Sequence, residues 1–230
     1  MKPQRIYRTE ILPLVEAERL DLADFLESLD DHEWAEPSLC PGWTVHDVAA
    51  HLTLSTRQSS LVTLARVLRA RGDIDAVFAA WARARSAAYD PAEVTAQLRA
   101  TAGSTHRMVI SSPFDPLLDI LVHGQDIARP LGRERPVLAE RTIPALGHAW
   151  TSSFYGAPER FAGLRFVATD ADWSTGDGPL EVRAPVGDLL LLATGRTAGL
   201  EGVSGPGATE AAERIAGADA SRARKSGLEH

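Results

Sequence analysis

Residues 114–131 read FDPLLDILVHGQDIARPL. Wound at 3.6 residues per turn, Leu117, Leu118, Ile120, Leu121, Val122 and Ile127 cover most of the circumference, so the segment predicts a helix buried among other helices. Into this apolar surface the sequence sets Asp119, His123 and Asp126 at i, i+4 and i+7, on one stripe. A buried polar stripe requires a ligand or a hydrogen-bonded network. A carboxylate and an imidazole one turn apart can both reach one metal ion, but two ligands alone hold an ion weakly.

A third ligand is available upstream. The stretch Pro37-Ser-Leu-Cys-Pro-Gly-Trp43 is broken by two prolines and a glycine, so it is a loop, and it feeds a helix. Thr44 is placed as the cap of that helix, with Asp47 three residues on completing a capping box and Trp43 positioned to staple onto Val48. His51 lies at the edge of the face made by Val45, Val48 and Leu52, and so can point inward beside Asp119 and His123. Two histidines and one carboxylate suit zinc, nickel, iron or manganese and leave a coordination position open, as catalytic sites do. Taken by spacing alone, the simpler account is a hydrogen-bonded Asp119–His123 pair with His51 as a satisfied core histidine. Asp126 is placed either to orient a ligating imidazole or, more simply, to pair with Arg129.

Working outward, Thr9–Leu29 carries apolar residues at helical spacing, and the helix begun at Thr44 is expected to reach about Arg71, where Gly72 stops it. Helical sequence resumes over Ile74–Ile110 with a break at Asp90-Pro91. The character changes near Pro136. One helix is expected over Leu138–Tyr155, strands at Leu164–Thr169 and Leu180–Arg183, a short buried helix at Val186–Thr194, and a last one at Ala208–Ala216. The expected organisation is therefore a bundle over 1–135, a small α+β domain over 136–220, and a frayed tail over 221–230. Its terminal Leu228-Glu-His230 reads as the stub of an expression tag.

Composition narrows the functional classes. The formal charge of -7, with arginines scattered among acids, argues against a nucleic-acid partner, which needs a concentrated basic face. No apolar run approaches the roughly 20 residues of a membrane span, and the single cysteine, Cys40, has no internal disulfide partner, so a reducing cytoplasm is expected. Cys40 reads as a packing residue of its loop. His32, His46, His106 and His148 stand outside any ligand spacing, and Gly202–Gly207 lacks the order of a phosphate loop or nucleophile elbow and reads as a turn.

The segment Trp34–Leu52, with Cys40-Pro-Gly-Trp-Thr-Val-x-Asp47-x-x-x-His51-Leu52, resembles the N-terminal signature of the mycothiol-dependent maleylpyruvate isomerases, members of the DinB-like metalloenzyme superfamily. The stretch Asp119–Gly132 resembles that family's second motif, and Gly163–Arg196 its C-terminal domain, whose fold resembles sterol-carrier proteins. The resemblance implies an α+β protein: a DinB-like up-and-down four-helix bundle followed by a sterol-carrier-like domain. It implies a divalent metal, zinc foremost, on His51, Asp119 and His123, with Asp119 standing where the isomerases carry a glutamate one methylene longer. It also implies mycothiol as the thiol, a small electrophilic substrate, an actinobacterial cytoplasm, and Arg196 as the cation holding an acidic substrate. The chain is expected to work as a monomer or homodimer, as an isomerase or thiol transferase. The alternatives are a binder of metal or small ligand without turnover, or a carrier using its second domain.

Overall fold

The computed structural model describes residues 7–54, 74–106 and 111–227. Backbone contacts divide the chain into two units, Met1–Pro136 and Val137–His230.

The first unit opens with a π turn, Tyr7–Ile11, that runs into α1, Leu12–Glu27. Val15, Leu22, Ala23 and Leu26 share its buried face. A capping box at Asp30, reciprocated by Glu33, starts the short helix α2, Asp31–Ala35. The loop that follows closes on itself: Pro37 bridges Thr44, the Trp43 amide donates to the Cys40 carbonyl at 3.0 Å, and Gly42 takes a left-handed φ of 74°.

Helix α3, Val45–Leu54, begins with the expected reciprocal bonds. The Thr44 amide donates to Asp47 Oδ2 at 3.0 Å, and the Asp47 amide to Thr44 Oγ1 at 3.2 Å. The expected continuation of this helix to Arg71 lies outside the described residues. Helices α4, Ile74–Ser86, and α5, Pro91–Ala100, are separated at Asp90, where the break read from Asp90-Pro91 carries a capping box with Glu93. The expected end of that helical stretch at Ile110 is also outside the described residues. Helix α6, Asp115–Ala128, completes the unit.

Helix α1 packs on α5 and α6, and α3 on α4, α5 and α6, which makes α3 and α6 direct neighbours. On α6, Leu117, Leu118, Ile120, Leu121 and Ile127 are at most 2% exposed, each burial contributing ~1.5–3 kcal/mol. This apolar shell fixes the faces of α3 and α6 that carry the polar residues. Beyond α6 the chain folds back over it. Arg135 forms a buried ion pair with Glu18, and its guanidinium lies where a Cβ on Gly124 would stand 2.6 Å from Nη1.

The second unit starts with α7, Ala139–Thr151, which accommodates Pro144 and ends short of the expected Tyr155 because Ser152 turns extended at ψ 123°. After α8, Ala157–Arg160, three strands form a sheet in the order β2-β1-β3. Strand β1, Leu164–Ala168, lies parallel to β3, Leu180–Ala184, and antiparallel to the two-residue β2, Ser174–Thr175, which the sequence did not reveal. In the turn before β3, a Cβ on Gly178 would sit 1.8 Å from the Gly163 carbonyl oxygen, so only glycine fits. All eight residues of α9, Val186–Ala193, are buried, and the helix is followed by Gly195 at φ 84°. Trp150 packs on Phe161, Phe166 and Trp173 at the other side of this core.

Within Gly202–Gly207, Ser204 bridges to Arg183 beside β3. The last helix, α10, runs Ala208–Gly227 and corrects the expected end at Ala216 with a frayed tail. Its Ala, Arg, Lys and Ser residues have helical propensity enough to continue it. A helical first unit and a second unit with a small mixed sheet make the chain α+β.

Candidate metal centre

Asp119 and His123 stand one turn apart on α6, and His51 comes to them from α3. Asp119 Oδ1 is 3.7 Å from His51 Nε2 and 3.4 Å from His123 Nε2, and the three ligand atoms lie within 4.8 Å of one another. Ligands about 2.0–2.1 Å from a tetrahedral ion stand about 3.3–3.4 Å apart, close to the two distances from Asp119 Oδ1. The side chains of His51 and His123 are 13% and 14% exposed and that of Asp119 31%, so the cluster is sheltered and still open to solvent on the carboxylate side.

The remaining edge of each ring is treated differently. His123 Nδ1 meets Asp126 Oδ2 at 2.9 Å, and Asp126 is fully buried, so the ring is held with Nε2 toward Asp119. Of the two expectations for Asp126, the contact with the imidazole is present: its carboxylate meets the His123 ring. Arg129 Nε donates to Gln125 Oε1 at 3.1 Å. His51 Nδ1 is buried without a hydrogen-bond partner, and its ring is fixed by aromatic edges instead, with Trp43 at 5.3 Å and Phe78 at 5.6 Å between centroids. Trp43 thus stands against His51, a role not read from its place beside the helix cap.

Electrostatics favour a cation between the carboxylates. Burial alone would raise the Asp119 carboxyl. The His51 imidazole 3.7 Å away and the charges of His123 and Arg19 outweigh it and hold Asp119 below the usual carboxylate range. Burial would likewise lower His123, but its bonds to Asp126 and Cys40 and the charge of Asp119 raise it to about 10. Without an ion, one imidazolium therefore stands between two carboxylates, which an incoming cation would relieve of its proton.

Cys40 is the residue that sequence reasoning missed. Its place in the loop suggests packing alone, yet its Sγ lies 3.3 Å from Asp126 Oδ2 and 3.6 Å from His123 Nδ1. The loop is brought there by a main-chain bond from the Leu39 amide to the Asp126 carbonyl at 3.0 Å. No local spacing reveals a partner 83 positions away. His46 is set apart from the cluster as expected, its ring edge-on to Trp34 at 5.5 Å, and His32 pairs with Glu36 at an exposed position. Arg196 belongs to the second unit, where its amide donates to the Leu191 carbonyl and its Nη1 to that of Thr194 at 3.3 Å.

The fold and this cluster define a class: an α+β protein whose helical unit sets a carboxylate between two imidazoles. Residues 15–116 match the family model described as the mycothiol maleylpyruvate isomerase N-terminal domain, a span that includes Cys40 and His51 and stops before Asp119. Over these residues the chain resembles the N-terminal domain of the mycothiol-dependent maleylpyruvate isomerases.

Among solved structures, the chain resembles a mycothiol-dependent maleylpyruvate isomerase at a TM-score of 0.57 and 15% identity, covering 85% of this chain and 91% of that one. A histidine-to-alanine mutant of such an isomerase gives 0.56 and 14% with the same coverage. Two uncharacterised proteins of Mycobacterium tuberculosis, from strains CDC 1551 / Oshkosh and ATCC 25618 / H37Rv, are each 28% identical, covering 79% of this chain and 83% of theirs.

Proposed function

We propose that the chain is a mycothiol-dependent metalloenzyme, an isomerase of the maleylpyruvate type or a thiol S-transferase, with one divalent ion held by His51, Asp119 and His123. The observation that carries this reading is the convergence of two Nε2 atoms on one carboxylate oxygen, at 3.7 and 3.4 Å, with all three ligand atoms within 4.8 Å of one another. Zinc is the ion these ligands suit best, and three protein ligands leave a position for a thiol. A bound divalent ion would supply acidity, lowering the pKa of the thiol so that the thiolate is available at neutral pH.

The chain's own residues then have separate tasks. Asp126 keeps the His123 ring turned, and Trp43 and Phe78 hold that of His51. Asp119 presents its charge from a side chain one methylene shorter than glutamate, which suits a backbone close to the ion. Arg196 is our candidate for holding an acidic group of the substrate, or the negative charge that develops when sulfur adds to an activated double bond. If the sulfur leaves after rotation about that bond, thiol is returned and the product is an isomer; if it stays, the thiol has been transferred. Among the described residues no helix is long and apolar enough to cross a membrane. We place the chain in the cytoplasm because its chemistry needs a reduced thiol pool.

The test is elemental analysis of tag-free wild type beside His51→Ala and His123→Ala, followed by thiol-dependent isomerisation and conjugation assays on activated electrophiles. About one equivalent of ion in the wild type, lost in both variants, with thiol-dependent turnover in the wild type alone, is expected. No ion after reconstitution sinks the metal reading. An ion without turnover across the electrophile panel favours a binding protein of the same fold.

A further inference from the structure

We propose that the His123 ring carries an ion seat on its opposite edge as well: Cys40 Sγ, His123 Nδ1 and Asp126 Oδ2 together form a site for one thiophilic ion of the zinc, cadmium or copper(I) class. The three atoms lie within 4.8 Å of one another. The sulfur is 3.6 Å from Nδ1 and 3.3 Å from Oδ2, and Nδ1 is 2.9 Å from Oδ2. A thiolate at about 2.3 Å and an imidazole nitrogen at about 2.0 Å from a tetrahedral ion stand about 3.5 Å apart, so the sulfur already occupies its place. Only the nitrogen–oxygen pair must open, by about 0.5 Å, as the shared proton gives way to the ion.

Asp126 is fully buried, and its Oδ2 is held between the Cys40 thiol and the His123 imidazole. The sulfur is also pre-positioned. The Cys40 amide donates to Ser38 Oγ at 3.1 Å, the Cys40 carbonyl accepts from Trp43, and the neighbouring Leu39 is bonded to Asp126 on α6. None of these main-chain bonds needs to break for an ion to enter.

The two edges of the ring differ in chemistry. His51, Asp119 and Nε2 offer nitrogen and oxygen; Cys40, Asp126 and Nδ1 add a thiolate, which soft ions prefer. Filling the Cys40 edge releases the thiol proton and any proton on Nδ1. A neutral imidazole has one lone pair to give, so both edges cannot be filled without also removing the second ring proton. The seats therefore exclude each other, and the chain takes one ion at a time on one edge or the other. Only this exclusion rests on the metal reading proposed above; the Cys40 seat stands without it.

Cadmium, whose bond to a thiolate gives an ultraviolet charge-transfer band, is titrated into reduced, tag-free His51→Ala protein, where the Nε2 edge is disabled; Asp119→Asn serves if that variant fails to fold by circular dichroism. One equivalent with the charge-transfer band is expected, lost in the double variant with Cys40→Ser, and weakened about tenfold or more when His123→Gln or Asp126→Asn is added. Folded His51→Ala protein that takes up no cadmium, or takes it up without the band, overturns the proposal. So does an unchanged affinity with His123→Gln, since the lone thiol would then suffice. Zinc binding by Cys40→Ser, read by competition with a chelator, reports the Nε2 edge separately: its failure beside an intact cadmium seat counts against the proposed function and not against this one.

Discussion

Leu39 and Asp126 are joined through their backbones, the Leu39 amide donating to the Asp126 carbonyl at 3.0 Å, while the side chain of that same aspartate meets both His123 and Cys40. One residue thus secures the loop before α3 with its main chain and aims the His123 ring of α6 with its carboxylate.

Asp126→Asn keeps the backbone bond and removes the charge. Zinc affinity of the His51–Asp119–His123 set should fall about 10- to 100-fold, because an imidazole that loses its orienting carboxylate is a poorer and looser ligand. Competition against a chromophoric chelator reads this directly, and an unchanged affinity would mean that packing alone aims the ring.

Asp119 reaches both imidazoles with its short side chain. Asp119→Glu should weaken zinc by about tenfold, or 1.4 kcal/mol, since the extra methylene crowds a gap already at 3.4 and 3.7 Å. Asp119→Asn, which keeps the shape without the charge, should weaken it further. If Asp119→Glu instead binds more tightly, the helices yield more easily than their packing implies.

The ion pair of Glu18 and Arg135 is nearly sealed, at 3% and 6% side-chain exposure. Glu18→Gln leaves a guanidinium that cannot give up its proton, so unfolding free energy should drop by about 3 kcal/mol. Urea titration at neutral pH measures it, with Glu27→Gln, at an exposed pair with Arg99, expected to cost under about 1 kcal/mol as a control.

His46 supplies a pH dependence. Burial lowers its pKa, against the opposing influences of Asp47, the Tyr89 backbone and Asp90, and its Nε2 is buried without a partner. As pH falls through about 6.5 the unfolded chain takes up the proton before the folded one does. The stability contributed by neutral His46 is therefore present above that pH and lost as pH falls through the lower folded value. His46→Asn should show a shallower acid-side decline in urea midpoint than wild type. An identical decline would assign the acid sensitivity to other groups.

Local pattern made much of this legible. The apolar circumference of α6, the Thr44–Asp47 box, the stop at Gly195 and both longer strands follow from periods and capping rules that act over a few residues. The same rules placed Asp119, His123 and Asp126 on one stripe. What they could not supply was contact between distant segments. Cys40 meets α6 only because its loop doubles back, and the His51 ring is met by both Trp43 from that loop and Phe78 from α4. The end of α10 was missed for a different reason: composition that resembles a tail is also good helix former.

Arg19, nearly without exposure and donating to the Thr101 and Ala102 carbonyls at 3.3 and 3.0 Å, is one of the charges that depress Asp119. A guanidinium does not titrate under conditions in which the chain is folded. The first unit therefore carries a constant electrical bias, set by covalent structure and not by the medium. It favours the anion of Asp119 to the same degree at every pH at which the chain is folded, whereas the contribution of the histidines changes as they gain or lose protons.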